Sequence, residues 1–381
     1  FKASVGISEP IRYPDYLGSA DYATLYNEAM LNDNPSLAAD SPSLFTQTAI
    51  DNYRRAKGDN SDGLGYNWDY FDYAFQPSVL QDYSLSVRGG TDRARYFILG
   101  SYYKQGGNYK HSNSDNANNF LRYNFRANVD VDATKRLKIS VDLGARVTEY
   151  NYPGATAANI ISLANTQPPY LPIILPNNHN DVNQADFEEN GGYLLYADND
   201  YRYNMLGQLN RTGFSKRTRR YLQGSFKLSH DLDFITKGLS ATGMATFYNR
   251  VYSAVYRSFT PFMYQLTDYD VDEAGNYSYT SNSTNTGTTY LGTTRGKDGY
   301  RELAFQAKID YARTFGKHDV GATIVYMQKE RNMNISDEQE YAALPYRQQG
   351  LAGRVTYGFD KRYLFEANFG YNGSENFAAG K

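Results

Sequence analysis

The side chains in this sequence that could do chemistry are few, and they do not assemble into a reaction centre. Asp268, Asp270 and Asp272 have the one-three-five spacing of a calcium loop, in which alternate carboxylates converge on one cation. Glu273 stands where that loop needs a glycine for its sharp turn, and Tyr279 stands where a bidentate glutamate should close the shell. The cluster is thus a weak cation candidate on a solvated loop tip. The four histidines, His111, His179, His230 and His318, are scattered, and Glu188 and Glu189 are adjacent, so in an extended chain they point apart. No nucleophile elbow, phosphate-binding glycine loop or His-Glu-x-x-His motif is present. With no Cys in the chain, thiolate metal sites and disulfides are excluded. Neither an enzyme nor a cofactor is expected. The basic run Lys216, Arg217, Arg219, Arg220 is short, and a net charge of −2 supplies no phosphate-neutralising field. The run therefore reads as a solvated strand end, and nucleic acid is not an expected partner.

Recognition chemistry is better represented. Tyr193, Tyr196, Tyr201 and Tyr203, then Tyr277, Tyr279 and Asn282, lie in polar segments rich in Asn and Asp. Flat aromatic faces beside amides and carboxylates suit sugar rings or peptide backbones. The same rings equally suit the packing of large loops against one another. A second polar set comes from strict alternation. Over 121–132, Leu121, Tyr123, Phe125, Ala127, Val129 and Val131 share one parity, and Arg122, Asn124, Arg126, Asn128, Asp130 and Asp132 share the other. After a turn at 133–135 the pattern resumes, with Leu137 to Val147 on one face and Lys138, Ser140, Asp142 and Arg146 on the other. This is a long hairpin with one apolar and one polar face.

The elements that position these residues follow from the same period. Eleven strands are expected, near 1–8, 82–90, 94–104, 121–132, 137–147, 219–230, 239–256, 301–314, 319–330, 349–359 and 363–372. Several run to ten residues or more, longer than the ~5–6 typical of soluble sheets and suited to a tilted strand that crosses a bilayer. Short links alternate with long segments at 9–81, 105–118, 149–218, 257–300 and 331–348. In an up-and-down meander every second connection emerges at the same rim, so short turns fall on one side and long loops on the other, as in outer-membrane barrels. Helices are expected in the loops at 19–31, with Tyr22, Leu25, Tyr26 and Ala29 on one stripe and Ser19 as N-cap, at about 46–56, and at 156–163.

Composition agrees with a barrel. Mean hydropathy is −0.66, and no apolar run reaches the ~18 residues a spanning helix needs. Yet 38 Tyr, 20 Phe and one Trp stand among 381 residues. Tyrosines gather where strands cross lipid–water interfaces, and polarity stays high because half of each strand and all of each loop avoid lipid. A long-stranded soluble β protein, such as an adhesin, is the alternative.

Longer motifs add a family. Tyr83-Ser-Leu-Ser-Val-Arg-Gly-Gly-Thr91 with Ala94-Arg-Tyr-Phe-Ile-Leu-Gly-Ser-Tyr-Tyr103 resembles the second and third barrel strands of SusC/RagA-type TonB-dependent transporters. Arg122 to Arg126, Thr134 to Leu137, Ile235 to Leu239, Phe315 to Val320, Arg362 to Ala367 and Tyr371 to Phe377 are similar in family order, as are Asp21 to Ala29 and Asn67-Trp-Asp69. The resemblance implies a transmembrane up-and-down antiparallel β-barrel of about 22 strands in the outer membrane, of which this chain supplies about half. It also implies a plug domain acted on by the TonB complex, a SusD-like surface lipoprotein as lid, and import of oligosaccharides or peptides. Plug, TonB box and C-terminal strands are expected to lie outside the chain, which begins at Phe1 without a Met or signal peptide. On this basis Tyr66, Trp68, Tyr193, Tyr196, Tyr201 and Tyr203 are candidates for ligand or lid contact. Arg122, Arg126, Asp130, Asp142 and Arg146 are expected to face the lumen, where they could also pair with one another or with the plug. A passive porin is the alternative within the membrane.

Overall fold

A computed structural model describes residues 1–59, 65–112, 118–179, 182–268, 272–281, 286–333 and 344–375. Eleven strands form one sheet: β1 (Lys2–Ser8), β2 (Ser78–Gly90), β3 (Ala94–Gln105), β4 (Asn119–Asp132), β5 (Leu137–Pro153), β6 (Gly213–Asp231), β7 (Leu239–Ser258), β8 (Gly292–Phe315), β9 (His318–Met333), β10 (Tyr346–Phe359) and β11 (Tyr363–Ser374). They pair in sequence order and antiparallel throughout, so the sheet is a pure meander. All eleven expected strands are present, and most reach further toward the long connections than alternation alone marked. β8 is 24 residues long and β7 is 20, well beyond the ~9–11 needed to cross a bilayer.

Turn chemistry fixes the short rim. The hydroxyl of Thr91 accepts from Arg93 N and Ala94 N, both at 3.2 Å, and Thr134 repeats the device with Arg136 N and Leu137 N. Between β10 and β11, Asp360 and Lys361 have φ of 50° and 56°, and Arg362 N reaches Phe359 O at 2.9 Å. Positive φ at both central positions matches the twist of the flanking strands. In the longer turn before β7, Gly238 has φ of +85°, and a Cβ there would lie 1.9 Å from Ala312 O, so only glycine fits.

The packed core is not in the sheet. Among the described residues, Ala254 and Pro153, the last residue of β5, are the buried apolar side chains in the eleven strands; the rest lie in the long connections. Meanwhile Phe125, Leu143, Phe226, Phe305, Ile324 and Val355, which ladder register puts on one face, stay 42–49% exposed. Helices α1 (Ser19–Asp33), α2 (Gln47–Arg55), α3 (Tyr70–Ala74), α4 (Ala157–Thr166), α5 (Gln184–Glu189) and α6 (Met205–Asn210) all belong to the connections. Phe71, Tyr109, Ile160, Met205 and Met263 come from four different connections and share one cluster. Those connections therefore emerge on the same side of the sheet and fold together.

Two expectations about α1 are corrected. Its N-cap is Gly18, and Ser19 is instead a buried first-turn residue, its N and Oγ bonding Asn67 Oδ1 at 3.0 and 3.2 Å. The expected stripe is only partly covered. Tyr22 and Tyr26 stack on each other and meet Tyr170 and Phe45, whereas Leu25 is 48% exposed and Ala29 is also exposed. The helix leans on neighbouring aromatics and Asn67 instead of sinking its whole stripe. α2 and α4 start as expected, with the hydroxyls of Thr46 and Thr156 accepting from Ala49 N and Asn159 N.

Candidate functional site

The connections form a shell with a cleft of about 450 Å³ that brings Trp68 and Tyr201 together with Tyr16, Tyr22 and Gln167. The Pro168–Pro169 run, with no ladder hydrogen bonds of its own, serves as an anchor. Trp68 N donates to Pro169 O at 3.0 Å, and Tyr70 Oη donates to Pro168 O and Leu171 O at 3.3 and 3.2 Å. Burial pushes the Tyr70 phenol well above its ordinary range, and Tyr170 and Tyr201 are raised for the same reason. These groups stay neutral donors. Trp68 meets Tyr73 edge-on at 5.2 Å. Two atoms of the cleft's residues, the donor Trp68 Nε1 and the acceptor Gln167 Oε1, are buried without a hydrogen-bond partner among the described residues. The aromatic faces that line the cleft suit a sugar ring or a peptide backbone.

The other loop candidates separate. Tyr66 is buried beside the cleft's Asn67, in a two-residue strand paired with Gly58–Asp59. Tyr203 is 58% exposed, and its carbonyl accepts from Gln167 Nε2 at 2.8 Å, which places it near the cleft. Tyr193 and Tyr196 lie elsewhere. Tyr193 packs under the Arg211 guanidinium, and Tyr196 donates to Asp198 and packs on a second cluster around Leu194 and Tyr279. Tyr277 packs on that cluster too, whereas Asn282 lies outside the described residues. These aromatics lie in loops that do pack together, the second of the two uses their composition allowed.

Of the acidic triad, Asp270 lies outside the described residues and only the backbone of Asp268 is described. Asp272 accepts from Ala274 N and Asn276 N at 2.9 and 2.8 Å, capping its own turn. Among the described residues no group of three or more His, Asp or Glu could hold a metal.

On the sheet, ladder register puts Arg122, Arg126, Asp130, Asp142 and Arg146 on one face. None of the five forms an ion pair with another of them. Asp130 accepts from Ser140 Oγ at 2.6 Å, and Asp142 accepts from Asn128 Nδ2 at 2.7 Å and Ser225 Oγ at 2.9 Å. The arginines meet rings instead, Arg122 over Tyr103 at 5.0 Å and Arg146 over Tyr221 at 4.3 Å. Arg126 lines a separate recess of about 410 Å³ with Asn128 and Asp142.

The basic run on β6 is not a uniform solvated end. Alternation sends Lys216 and Arg220 to the apolar face and Arg217 and Arg219 to the polar face. There Arg217 lies over Tyr152 and Tyr256 at 5.3 and 5.4 Å, and Arg219 over Tyr150 and Tyr252 at 5.5 and 5.7 Å. Their partners come from β5 on one side and β7 on the other. Sequence reasoning missed this pairing, although Tyr150/Tyr152 and Arg217/Arg219 share the i, i+2 spacing of one strand face.

A meander with a shell of folded loops at one rim has close counterparts. No family model matches the chain. The TonB-dependent receptor P3 of Formosa agariphila is 24% identical over 353 residues, 86% of this chain. The RagAB peptide transporter superposes over 99% of this chain with a TM-score of 0.60 at 15% identity, and the RagAB peptide importer in the open-open state over 100% with 0.60 at 16%. The fold is that of the RagA-type TonB-dependent barrels. The chain spans 31% of the length of the Formosa relative and 42% of the two RagAB chains. In the structure the eleven strands form an open sheet, as a part of such a barrel must. The RagA-type fold agrees with the SusC/RagA motifs read from the sequence.

Proposed function

We propose that this chain is part of the barrel of a TonB-dependent importer of the outer membrane, with the plug and the remaining strands supplied by the rest of the full-length protein. The observation that carries it is the inversion of burial. The sheet leaves its Phe, Leu, Ile and Val face exposed, while the connections hold the packed core. An exposed apolar face of this extent needs a partner, and lipid is the partner that suits a continuous meander in which the ten strands after β1 have 12 residues or more and each inner strand is hydrogen-bonded to a neighbour on both sides.

The polar face then lines the lumen. Its ion pairs, Arg250–Asp298 at 3.1 Å, Lys329–Glu302 at 3.0 Å and Arg354–Glu366 at 2.7 Å, suit a wet interior. The loop shell faces outward, where a SusD-like lipoprotein closes over it and hands oligosaccharides or peptides to the aromatic cleft at Trp68 and Tyr201. The names of the relatives, a receptor and a peptide transporter, support import over catalysis. The test is accumulation of fluorescent oligosaccharides and peptides in the periplasm of cells that carry or lack the full-length gene. Import predicts uptake that disappears when the inner-membrane motor is inactivated. Uptake that persists without the motor would make the protein a passive porin, and recovery of the protein in the soluble fraction would make it an adhesin.

A further inference from the structure

The polar face treats its cations in two ways. On β7–β11 they sit beside acids: Arg250 with Asp298, Lys329 and Arg331 with Glu302, Lys308 with Asp310, Arg354 with Glu366. On β4–β6, Arg122, Arg146, Arg217 and Arg219 have no carboxylate within 4.0 Å among the described residues, and each lies over one or two tyrosine rings. Arg122 and Arg219 both stand opposite Thr148, so their backbones are about 10 Å apart, and Arg217 is about 7 Å from Arg219 along the strand. Four guanidinium groups therefore share a small area without neutralisation. The patch continues into a cavity of about 740 Å³ that Arg122, Tyr103, Tyr150 and Tyr152 line, where Glu9 is the single acid.

We infer that this arginine–tyrosine band captures oxyanion groups, carboxylate or sulfate, on a soluble ligand that enters the barrel. This rests on the import reading and names the ligand's chemistry. A ring over one face of a guanidinium holds its plane and strips water from it, but leaves the N–H edge free. One edge contact is internal, Arg217 Nε to Ser215 Oγ at 3.0 Å. A guanidinium fixed in this way is preorganised for the paired hydrogen bonds of a planar or tetrahedral oxyanion. Unpaired like charges on a partly desolvated surface repel one another, and an anionic ligand removes that cost when it binds.

The test uses the purified full-length transporter and three probes: a galacturonate hexamer, maltohexaose and hexaglutamate. Titration calorimetry at about 20 mM and about 0.5 M salt reads the ionic contribution. The galacturonate hexamer should bind at low salt and weaken strongly at high salt, while maltohexaose should not bind. The double substitution Arg217→Gln with Arg219→Gln should weaken the acidic probe at least roughly tenfold, and Lys at both positions should restore part of the loss. Hexaglutamate separates the sources. Equal binding assigns the site to any polyanion, and preference for either acidic probe assigns it to acidic glycans or to acidic peptides. If the double variant does not assemble, Arg122→Gln carries the same comparison. Failure of both acidic probes to bind, maltohexaose binding as tightly, or unchanged affinity in the Gln variants overturns the inference. Arg-dependent binding without motor-dependent uptake would instead sink the import reading and leave the oxyanion site standing.

Discussion

Asn204 holds three segments of the loop shell at once, so its removal should open that shell and nothing else. It is 1% exposed and caps α6, its Oδ1 accepting from Gly207 N at 3.1 Å. Its Nδ2 donates to Ile173 O at 2.6 Å and to Tyr196 O at 3.0 Å. Asn204→Ala loses an N-cap worth ~1 kcal/mol and leaves two carbonyls short of a donor at ~1 kcal/mol or more each. The sum is about 3 kcal/mol, or roughly a 100-fold rise in local opening. Hydrogen exchange read by mass spectrometry should show that rise in 171–175, 195–197 and 205–210, with the strands of the sheet unchanged. Asn204→Asp keeps the cap acceptor but turns an oxygen toward both carbonyls in a buried site, so it should open the loop at least as much as Asn204→Ala. Exchange in β4–β7 rising by the same factor as the loop would refute the separation of core from barrel. Unchanged loop exchange would refute the role of Asn204.

Other outcomes follow from neighbouring features. Ala127 lies at the centre of the apolar stretch of β4, opposite Ile98 and Leu143, about 12 Å above the turn-side rim for a strand tilted ~45°. Ala127→Arg should cost about 2–4 kcal/mol in folding titrations into phospholipid vesicles, while Asn128→Arg, one residue along and beside Asp142, should cost under about 1 kcal/mol; equal costs would refute the assignment of faces. Trp68 is the single tryptophan of this chain, so addition of a ligand that fills the cleft should shift a fluorescence component absent from Trp68→Phe. Burial, followed by the Asp186 carboxylate, pushes the Tyr264 phenol up to about 12. Because an unfolded tyrosine ionises near 10, the folded loop holds this proton more tightly, and its stability should fall as pH rises from about 10 toward 12. Tyrosinate absorbance should lose one late step, near pH 12, in Tyr264→Phe; an unchanged curve would contradict that burial.

Much of the fold was legible because a barrel strand obeys one rule along its whole length. The alternation Leu121, Tyr123, Phe125 against Arg122, Asn124, Arg126 needs no tertiary knowledge, and the short turns at Thr91, Thr134 and Asp360 carry their own local chemistry. The loop shell was less legible. Its residues obey no period, and their partners are distant in sequence, as with Tyr70 and Leu171 or Asn190 and Phe262. Thus Trp68 and Tyr201 line one cleft, but Tyr196 packs on a different cluster and Tyr193 lies under Arg211. Arg217 and Arg219 were undervalued because their tyrosines sit on flanking strands, one of them across a 59-residue connection, and only register brings them together.

One sheet meets two solvents, and the absence of cysteine from this chain allows the contrast to be read residue by residue. Single cysteines placed in turn at 123–130 of the full-length protein, in native membranes, can be exposed to a water-soluble maleimide and to a lipid-attached nitroxide quencher. The expected pattern alternates: 124, 126, 128 and 130 label from water, while 123, 125, 127 and 129 resist the maleimide and are quenched from lipid. Uniform labelling of both parities, or quenching at neither, would contradict the membrane barrel.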